Sequence, residues 1–166
     1  MALTFKQHLH RLSDFSGRET RAEFWPYAGL VFAGTMIGMM SVMIIEMVTS
    51  NMIPDLGVML LGVSAIFILA IGTLAAAIAR RLHDRSLSGF WGLLPLPFLF
   101  LGLMAMMRIF AFFENGISEI LWFRIGLVSN GLYNIALIVL IILLAAPSDK
   151  ASNKFGPPPG ETDPAI

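Results

Sequence analysis

The sequence contains no cysteine and little charge. Only 13% of its 166 residues are Asp, Glu, Lys or Arg, whereas 57% are hydrophobic, and the mean hydropathy is +0.78. Because a soluble domain carries about 25% charged residues, this chain lacks the polar residues that would cover a surface facing water. The sequence therefore predicts an integral membrane protein.

These scarcities also exclude several functions. Without cysteine the chain can form no disulfide, no thiolate metal site and no cysteine nucleophile. The formal net charge of zero offers no electrostatic basis for binding nucleic acid. We therefore expect no nucleic-acid partner.

Four apolar segments are candidates for membrane spans, since a helix needs about 20 apolar residues to cross the hydrocarbon core. They cover residues 27–48, 56–79, 90–107 and 120–146, and Arg124 leaves open whether the fourth begins at Ile120 or at Ile125. A signal peptide is the alternative for the first segment, but that segment is longer than the apolar core of about 7 to 15 residues that such peptides have. We predict an all-α membrane protein with four transmembrane helices in a bundle, forming one domain over residues 1–150.

The segments beside these spans carry further predictions. Residues 3–15 predict an amphipathic interfacial helix with Phe5, Leu9 and Leu12 on one face. Ser16 and Glu19 have the spacing of a capping box, which predicts that a helix starts there and leads into the first span. The Pro- and Gly-rich residues 151–166 predict a mostly disordered tail.

Spans three and four raise two questions of helix geometry. Pro95 and Pro97 lie early in the third span, so its first turns are predicted to be kinked or loosely wound. Residues 108–124 between these spans are unusually apolar for a loop. Either they extend the two helices, or they lie on the outer leaflet.

The distribution of lysine and arginine predicts the orientation. Nine of the 11 lie before span one, between spans two and three, or after span four. The other two, Arg108 and Arg124, lie between spans three and four. Because cytoplasmic loops carry the excess of Lys and Arg, both termini are predicted to be cytoplasmic.

Three separated motifs resemble one known family. They are Phe15-Ser16-Gly17-Arg18 with Arg21 and Glu23-Phe24-Trp25, then Arg80-Arg81-Leu82-His83-Asp84 with Ser88-Gly89-Phe90-Trp91, and Asn153-Lys154-Phe155-Gly156-Pro157. In this order, and over almost the whole chain, they resemble the domain-of-unknown-function family 805 of small bacterial inner-membrane proteins. The chain departs from the family pattern at Ser86, where glycine is usual, at Phe90, where tryptophan is usual, and at Pro158, where an acidic residue is common. The resemblance implies a bacterial inner-membrane location and no established activity.

By the distribution of charge, all three motifs lie on the cytoplasmic side, where their polar residues could meet. The candidate cytoplasmic cluster is Arg18, Arg21, Glu23, Arg80, Arg81, His83, Asp84 and Asn153. Because unpaired charge at membrane depth is costly, we expect Glu23 and Asp84 to bridge arginines. One interpretation is a structural clasp that ties the N-terminal helix to the loop and tail. The other is that the excess positive charge binds anionic lipid headgroups or a partner.

A second candidate is a polar face of the fourth span. Gly126, Asn130 and Asn134 recur every four residues and so share one side of the helix. The face predicts either contacts between helices or part of a conduction path. Contacts between helices are the favoured interpretation, since no acidic residue lies at the midpoint of the span.

The sequence shows no catalytic motif. His83 and Asp84 are adjacent, so on a helix they point about 100° apart and do not form a base with its orienting acid. His8 and His10 are two residues apart in a predicted helix and cannot share a metal ion. We therefore expect no enzyme activity, no cofactor and no metal site.

Together these observations predict a small inner-membrane binding or interaction protein. Its predicted partners are anionic membrane lipids, a second copy of the chain or another membrane protein. The alternative is a transport component for small solutes or ions that is formed by an oligomer. A membrane-embedded enzyme ranks third.

Overall fold

A computed structural model describes residues 5–49, 56–115 and 120–159, and within these ranges the chain is helical without a β-strand. The helices are α1 (Phe5–His10), α2 (Arg21–Thr49), α3 (Leu56–His83), a short 3-10 helix (Gly89–Leu93), α4 (Leu96–Asn115) and α5 (Ile120–Ala145). Four segments of this part of the chain are long and apolar enough to cross a membrane. The prediction of an all-α protein with four candidate membrane spans is confirmed.

The helix boundaries add detail to the sequence predictions. Helix α1 ends at His10, five residues before the predicted end. A 3-10 helix precedes α4, as the two prolines predict, and α4 begins at Leu96 because a proline fits the first turn of a helix. Helices α4 and α5 continue into the segment 108–124, which favours helix extension, while residues 116–119 of that segment lie outside the described residues.

The spanning helices pack as two hairpins. Helix α2 packs against α3, and α4 packs against α5, whereas the two hairpins meet mainly where α3 contacts the 3-10 helix and α5. A Cβ atom at Gly62 would lie 2.8 Å from Val42, so α2 and α3 approach closely at that level. Gly126 has the same role between α5 and α4, since a Cβ atom there would lie 3.4 Å from Ala105. Small residues permit such close helix contacts in membranes.

The 3-10 helix docks on α3 through two glycines. A Cβ atom at Gly89 would lie 2.8 Å from Ala79, and one at Gly92 would lie 2.8 Å from Ile78. No side chain other than hydrogen therefore fits there without a shift of α3 or of the 3-10 helix. The chain enters α4 at a fixed position beside the end of α3.

The hydrophobic core lies at the end of the bundle where α3 finishes with Arg80, Arg81 and His83, and we call this the charged end. It contains Phe24, Tyr27, Ala77, Leu82, Leu140 and Leu144, from α2, α3 and α5. Elsewhere most large apolar side chains of the spanning helices are exposed. This distribution suits a protein whose helices face lipid, because lipid tails are as apolar as the side chains they meet.

The start of α2 differs from the sequence prediction. The capping box at Ser16 and Glu19 is wrong, because the box forms four residues later at Thr20 and Glu23. The backbone N–H of Glu23 donates to Thr20 Oγ1 at 3.3 Å, and the N–H of Thr20 donates to Glu23 Oε2 at 3.1 Å. Both pairs have the Ser/Thr-x-x-Glu pattern, so spacing alone could not distinguish them. The shift releases Glu19 for a different role.

We predict that Thr20→Ala lowers the free energy of unfolding by about 1 kcal/mol, the usual effect of losing an N-cap side chain. Ser16→Ala should have a smaller effect, since Ser16 caps no helix of the described chain and bonds to the partly exposed Asp14. Thermal unfolding of the two detergent-solubilised variants checks the order. An equal or larger loss in Ser16→Ala would contradict the assignment of the cap to Thr20.

Candidate functional site

Five charged residues are buried together at the charged end of the bundle, and we call them the clasp. They are Arg18, Glu19, Arg80, Arg81 and Asp84, none more than 8% exposed. Arg18 and Glu19 lie in the segment before α2, and Arg80 and Arg81 lie in the last turn of α3. Asp84 follows immediately after α3.

Each carboxylate of the clasp bridges two cationic or basic groups. Asp84 accepts from Arg18, with Arg18 Nη2 and Asp84 Oδ1 3.0 Å apart, and its other oxygen pairs with Arg81. Glu19 pairs with Arg80 at 2.8 Å and with His8 Nε2 at 3.0 Å. Buried pairs of this kind are stable only when further hydrogen bonds satisfy the remaining donors.

Backbone carbonyls provide those further bonds, and each arginine binds a different segment. Arg81 donates to the carbonyls of Leu144 and Ala146, which lie at the C-terminal end of α5. The other two arginines bind the segments outside the spans: Arg80 donates to Arg11 and Asp14, and Arg18 donates to Asp149, Ala151 and Gly156. The clasp therefore connects α3 to the N-terminal segment, to α5 and to the tail.

Helix α1 is held by an aromatic contact as well as by Glu19. The ring of His8 stacks on Tyr27, with centroids 4.2 Å apart and an interplanar angle of 11°. The Tyr27 hydroxyl donates to the carbonyl of Thr73 on α3 at 2.9 Å. This chain of contacts fixes α1 against the bundle, with His8 as its inward-facing residue.

The segment after α5 folds back over the clasp. The side-chain amide of Asn153 donates to the carbonyl of His83 at 2.9 Å, and Phe155 stacks on the His83 ring with centroids 3.7 Å apart. Asn153 and Gly156 also form an isolated antiparallel bridge. The predicted tail of 151–166 thus includes an ordered part up to 159, and its remainder lies outside the described residues.

The contacts of Ser86 show how this chain accommodates a serine where the family usually has glycine. Its φ of 58° lies in the left-handed region, which glycine adopts without steric cost. The Ser86 hydroxyl donates to Asp149 at 2.7 Å and lies 3.1 Å from the donating amide of Asn153. These tail contacts offset the backbone strain of a serine at a position where glycine is usual.

The structure brings together part of the predicted cytoplasmic cluster. Arg18, Arg80, Arg81 and Asp84 meet in the clasp, and His83 and Asn153 join it to the tail. Arg21 is exposed and lies outside the clasp, and Glu23 serves as a helix cap. The expected Glu23–arginine bridge is therefore wrong.

Sequence reasoning misses Glu19 and His8. The spacing from Ser16 assigns Glu19 to a capping box, whereas Glu19 takes the bridging place expected of Glu23. The signal that could identify it is the second Ser/Thr-x-x-Glu pattern at Thr20, which can cap α2 and leaves Glu19 available.

An apolar cavity of about 900 Å³ lies between the two hairpins, next to the clasp. Its walls come from α2, α3, the 3-10 helix, α4 and α5, and Phe32, Phe67, Leu96 and Leu137 are among them. Its volume falls within the range of about 300–1,000 Å³ that is typical of small-molecule sites. His83 and Ser88 bring polar atoms to the end of the cavity that lies near the clasp.

His83 presents a hydrogen-bond acceptor to its surroundings. Its Nδ1 lies 3.3 Å from the carbonyl oxygen of Gly17, and a carbonyl oxygen can only accept. Nδ1 therefore carries the proton in the neutral ring, so Nε2 is an acceptor. His83 and Asp84 do not act as a pair, since Asp84 is bound by two arginines.

The residues of the predicted polar face of α5 do not share one environment. Gly126 contacts α4, whereas Asn130 and Asn134 are exposed on the outside of the bundle. The face therefore does not line an interior path through one copy of the chain.

The fold and the clasp define a class: a multi-pass membrane protein with four candidate spans in its described part and a cluster of buried charged residues at one end of the bundle. The sequence matches the family described as "Protein of unknown function (DUF805)" over residues 12–157, and the chain belongs to this family. The matched range includes all five clasp residues and Asn153. No curated protein and no solved structure shows a significant match.

We predict that Asp84→Asn lowers the free energy of unfolding by about 3–5 kcal/mol, because it leaves Arg18 and Arg81 buried without a carboxylate. Thermal unfolding in mild detergent measures the loss. The substitution preserves the size of the side chain, so the effect reports charge rather than packing.

Asp14→Asn is the matched control. Asp14 pairs with Arg11 at 3.0 Å in a partly exposed position, and hydrogen bonds from Ser16 and Arg11 lower the pKa of Asp14 from 3.8 to about 2. It is ionised at neutral pH, yet a pair at the surface contributes only about 0–1 kcal/mol. Similar losses in the two variants would contradict a structural role for the clasp.

Proposed function

We propose that this chain is a small bacterial inner-membrane protein that binds an anionic lipid at its charged end. The observation that carries the proposal is the position of the apolar cavity directly beside that end. A lipid has an apolar chain and a polar headgroup, and the protein offers an apolar cavity and a cationic surface next to each other. The role is one of binding, without catalysis.

The arginines of the clasp do not supply the headgroup site in this proposal. Arg18, Arg80 and Arg81 are buried, and their donors are directed at protein carboxylates and carbonyls. The clasp is the structural element that the first interpretation of the cluster anticipates. Headgroup binding requires cations that lipid phosphate can reach.

Such cations surround the clasp. Exposed basic residues near the charged end are Lys6, Arg21, Lys150 and Lys154. Within the described part of the chain, none of them is in a salt bridge. An exposed cation near an anionic lipid surface contributes about 1 kcal/mol to membrane attraction.

The cavity would take the lipid chain. Phe32 and Ile141 line it and are exposed, so the cavity is open towards the surroundings of the bundle. In a bilayer those surroundings are hydrocarbon. At the clasp end, the acceptor nitrogen of His83 and the hydroxyl of Ser88 could bind a hydroxyl group of the lipid.

We further propose that the charged end faces the cytoplasm, with both termini on that side. The nine-to-two distribution of Lys and Arg supports this orientation. Helix α1 would lie in the interface with Phe5 and Leu9, which are exposed, directed at lipid. Exposed Trp25 and Trp91 at the same end suit an aromatic belt.

The orientation predicts the behaviour of reporter fusions in bacteria. Green fluorescent protein fused after residue 166 should fluoresce, because it folds on the cytoplasmic side, and alkaline phosphatase at that place should be inactive. A fusion in the connection between α4 and α5 should give the opposite pattern. Active phosphatase at the C-terminus would contradict the proposed orientation.

The lipid proposal predicts a specific effect of filling the cavity. Gly29 lines the cavity, and a Cβ atom placed there would meet no atom within 4 Å, so Gly29→Phe adds a ring to the space. Native mass spectrometry in mild detergent should show that the wild type retains dioleoylphosphatidylglycerol and that Gly29→Phe loses most of it. Gly34→Phe on the same helix is the control, since Gly34 also has open space but lies outside the cavity.

Native mass spectrometry also tests the proposed binding of the lipid headgroup by exposed cations. The double variant Arg21→Gln, Lys154→Gln should lose the preference for phosphatidylglycerol over phosphatidylcholine, while Arg124→Gln at the other end of the bundle should keep it. Equal retention of the two lipids by the wild type would overturn the headgroup site. Unchanged retention in Gly29→Phe would overturn the cavity site.

A further inference from the structure

Two asparagines occupy the middle of the apolar helix α5 and face outward. Asn130 is the eleventh and Asn134 the fifteenth of the 26 residues of α5. At 1.5 Å per residue they lie about 15 and 21 Å from the start of the helix, near the centre of a membrane span. Both side chains are exposed on the surface of the bundle. A polar side chain at that depth usually faces protein rather than lipid.

The two amides satisfy each other only in part. The Asn134 amide donates to the Asn130 carbonyl at 2.8 Å and to Asn130 Oδ1 at 3.2 Å. These bonds use the donor of Asn134 and the acceptor of Asn130. Within the described part of the chain, the NH₂ group of Asn130 and the Oδ1 atom of Asn134 stay free for other contacts, and they are a donor and an acceptor.

This complementarity fits a second copy of the same chain. Two copies inserted in the same orientation can be related by a two-fold axis along the membrane normal. In such an interface, if one residue of the first copy contacts a second residue of the other copy, the same contact also forms with the two copies exchanged. The free donor of Asn130 on one copy can then meet the free acceptor of Asn134 on the other, and the reverse bond forms at the same time. One helix turn separates the two residues, which is within the reach of their side chains.

The surroundings of the pair suit close helix contact. Leu127 and Ile138 lie on the same side of α5 as the asparagines, at spacings of three and four residues, and both are exposed. Gly131 is also exposed, and a Cβ atom there would meet no atom within 4 Å. The backbone of a partner helix could approach α5 closely at this position.

We propose that this face of α5, comprising Leu127, Asn130, Gly131, Asn134 and Ile138, is a homodimer interface joined by reciprocal hydrogen bonds between Asn130 and Asn134. The partner is a second copy of the chain in the same membrane orientation. The proposal does not rest on the lipid site.

The test is the association of donor- and acceptor-labelled protein in phosphatidylcholine vesicles, measured by energy transfer as the lipid-to-protein ratio increases. Asn130→Leu and Asn134→Leu should each raise the dissociation constant of the dimer about tenfold, since interhelical polar contacts in membranes carry roughly that weight. Ser41→Leu is the control, because Ser41 is an exposed polar residue of another spanning helix that bonds to its own backbone. Both asparagines are exposed on the outside of the bundle, so both variants should keep the thermal stability of the monomer.

Cross-linking supplies an independent readout, because the chain has no natural cysteine. In vesicles treated with copper phenanthroline as the oxidant, Gly131→Cys should form a disulfide-linked dimer, whereas Ser64→Cys on the exposed side of α3 should not. A monomeric wild type at all ratios, or dimerisation that both leucine variants leave unchanged, would overturn the proposal. An assembly of more than two copies would also overturn it and would favour an oligomeric path instead.

Discussion

Charge buried beside hydrocarbon is tolerated only when every charged group has a partner, and this constraint organises the charged end of the protein. The clasp holds three guanidiniums and two carboxylates, so carboxylates alone cannot neutralise it. Backbone carbonyls of the N-terminal segment, of α5 and of the tail supply the remaining acceptors. Because a guanidinium has five donors in a fixed plane, it can bind a carboxylate and a carbonyl at once. Segments distant in sequence are therefore held together by Arg80 and Arg81 of α3 and by Arg18 of the N-terminal segment.

The clasp matters more here than it would in a soluble bundle. In lipid there is little hydrophobic force between helices, and the two hairpins share few close contacts along their length. Arg81 connects them at one end, since it lies on α3 and binds the carbonyl end of α5. Deeper in the membrane the hairpins stand apart, and the apolar cavity occupies the gap. The same design that concentrates the strong contacts at one end thus leaves room for a ligand beside them.

The fold is largely predictable from the sequence, whereas the contacts at the charged end are only partly predictable. Apolar length predicts the four spans, and the prolines at 95 and 97 predict the irregular start of the third. The residue composition of the clasp is also accessible, because Arg18, Arg80, Arg81 and Asp84 lie in short charged motifs next to spans. The role of Glu19 cannot be predicted, because two overlapping Ser/Thr-x-x-Glu patterns could each cap α2. Only the contact between Arg80 and Glu19 in the folded protein distinguishes them. The outward direction of Asn130 and Asn134 is likewise unpredictable, because α5 is apolar on all sides and periodicity does not orient it.

Helix α5 also separates the two proposed activities. One side of it carries Gly126, which packs on α4, and further along the same side Tyr133 and Leu137, which line the cavity, whereas another side presents the asparagines with Gly131. The centres of the cavity side and of the proposed dimer face are roughly 90° apart around the helix axis, because successive residues turn by about 100°. Ile141, which also lines the cavity, is seven residues from Asn134 and so lies towards the dimer face. A partner copy bound to the asparagines would therefore lie next to the opening of the cavity. Lipid binding and assembly thus use adjoining surfaces of one helix, and Gly29→Phe on α2 is the substitution that changes the cavity without touching the dimer face.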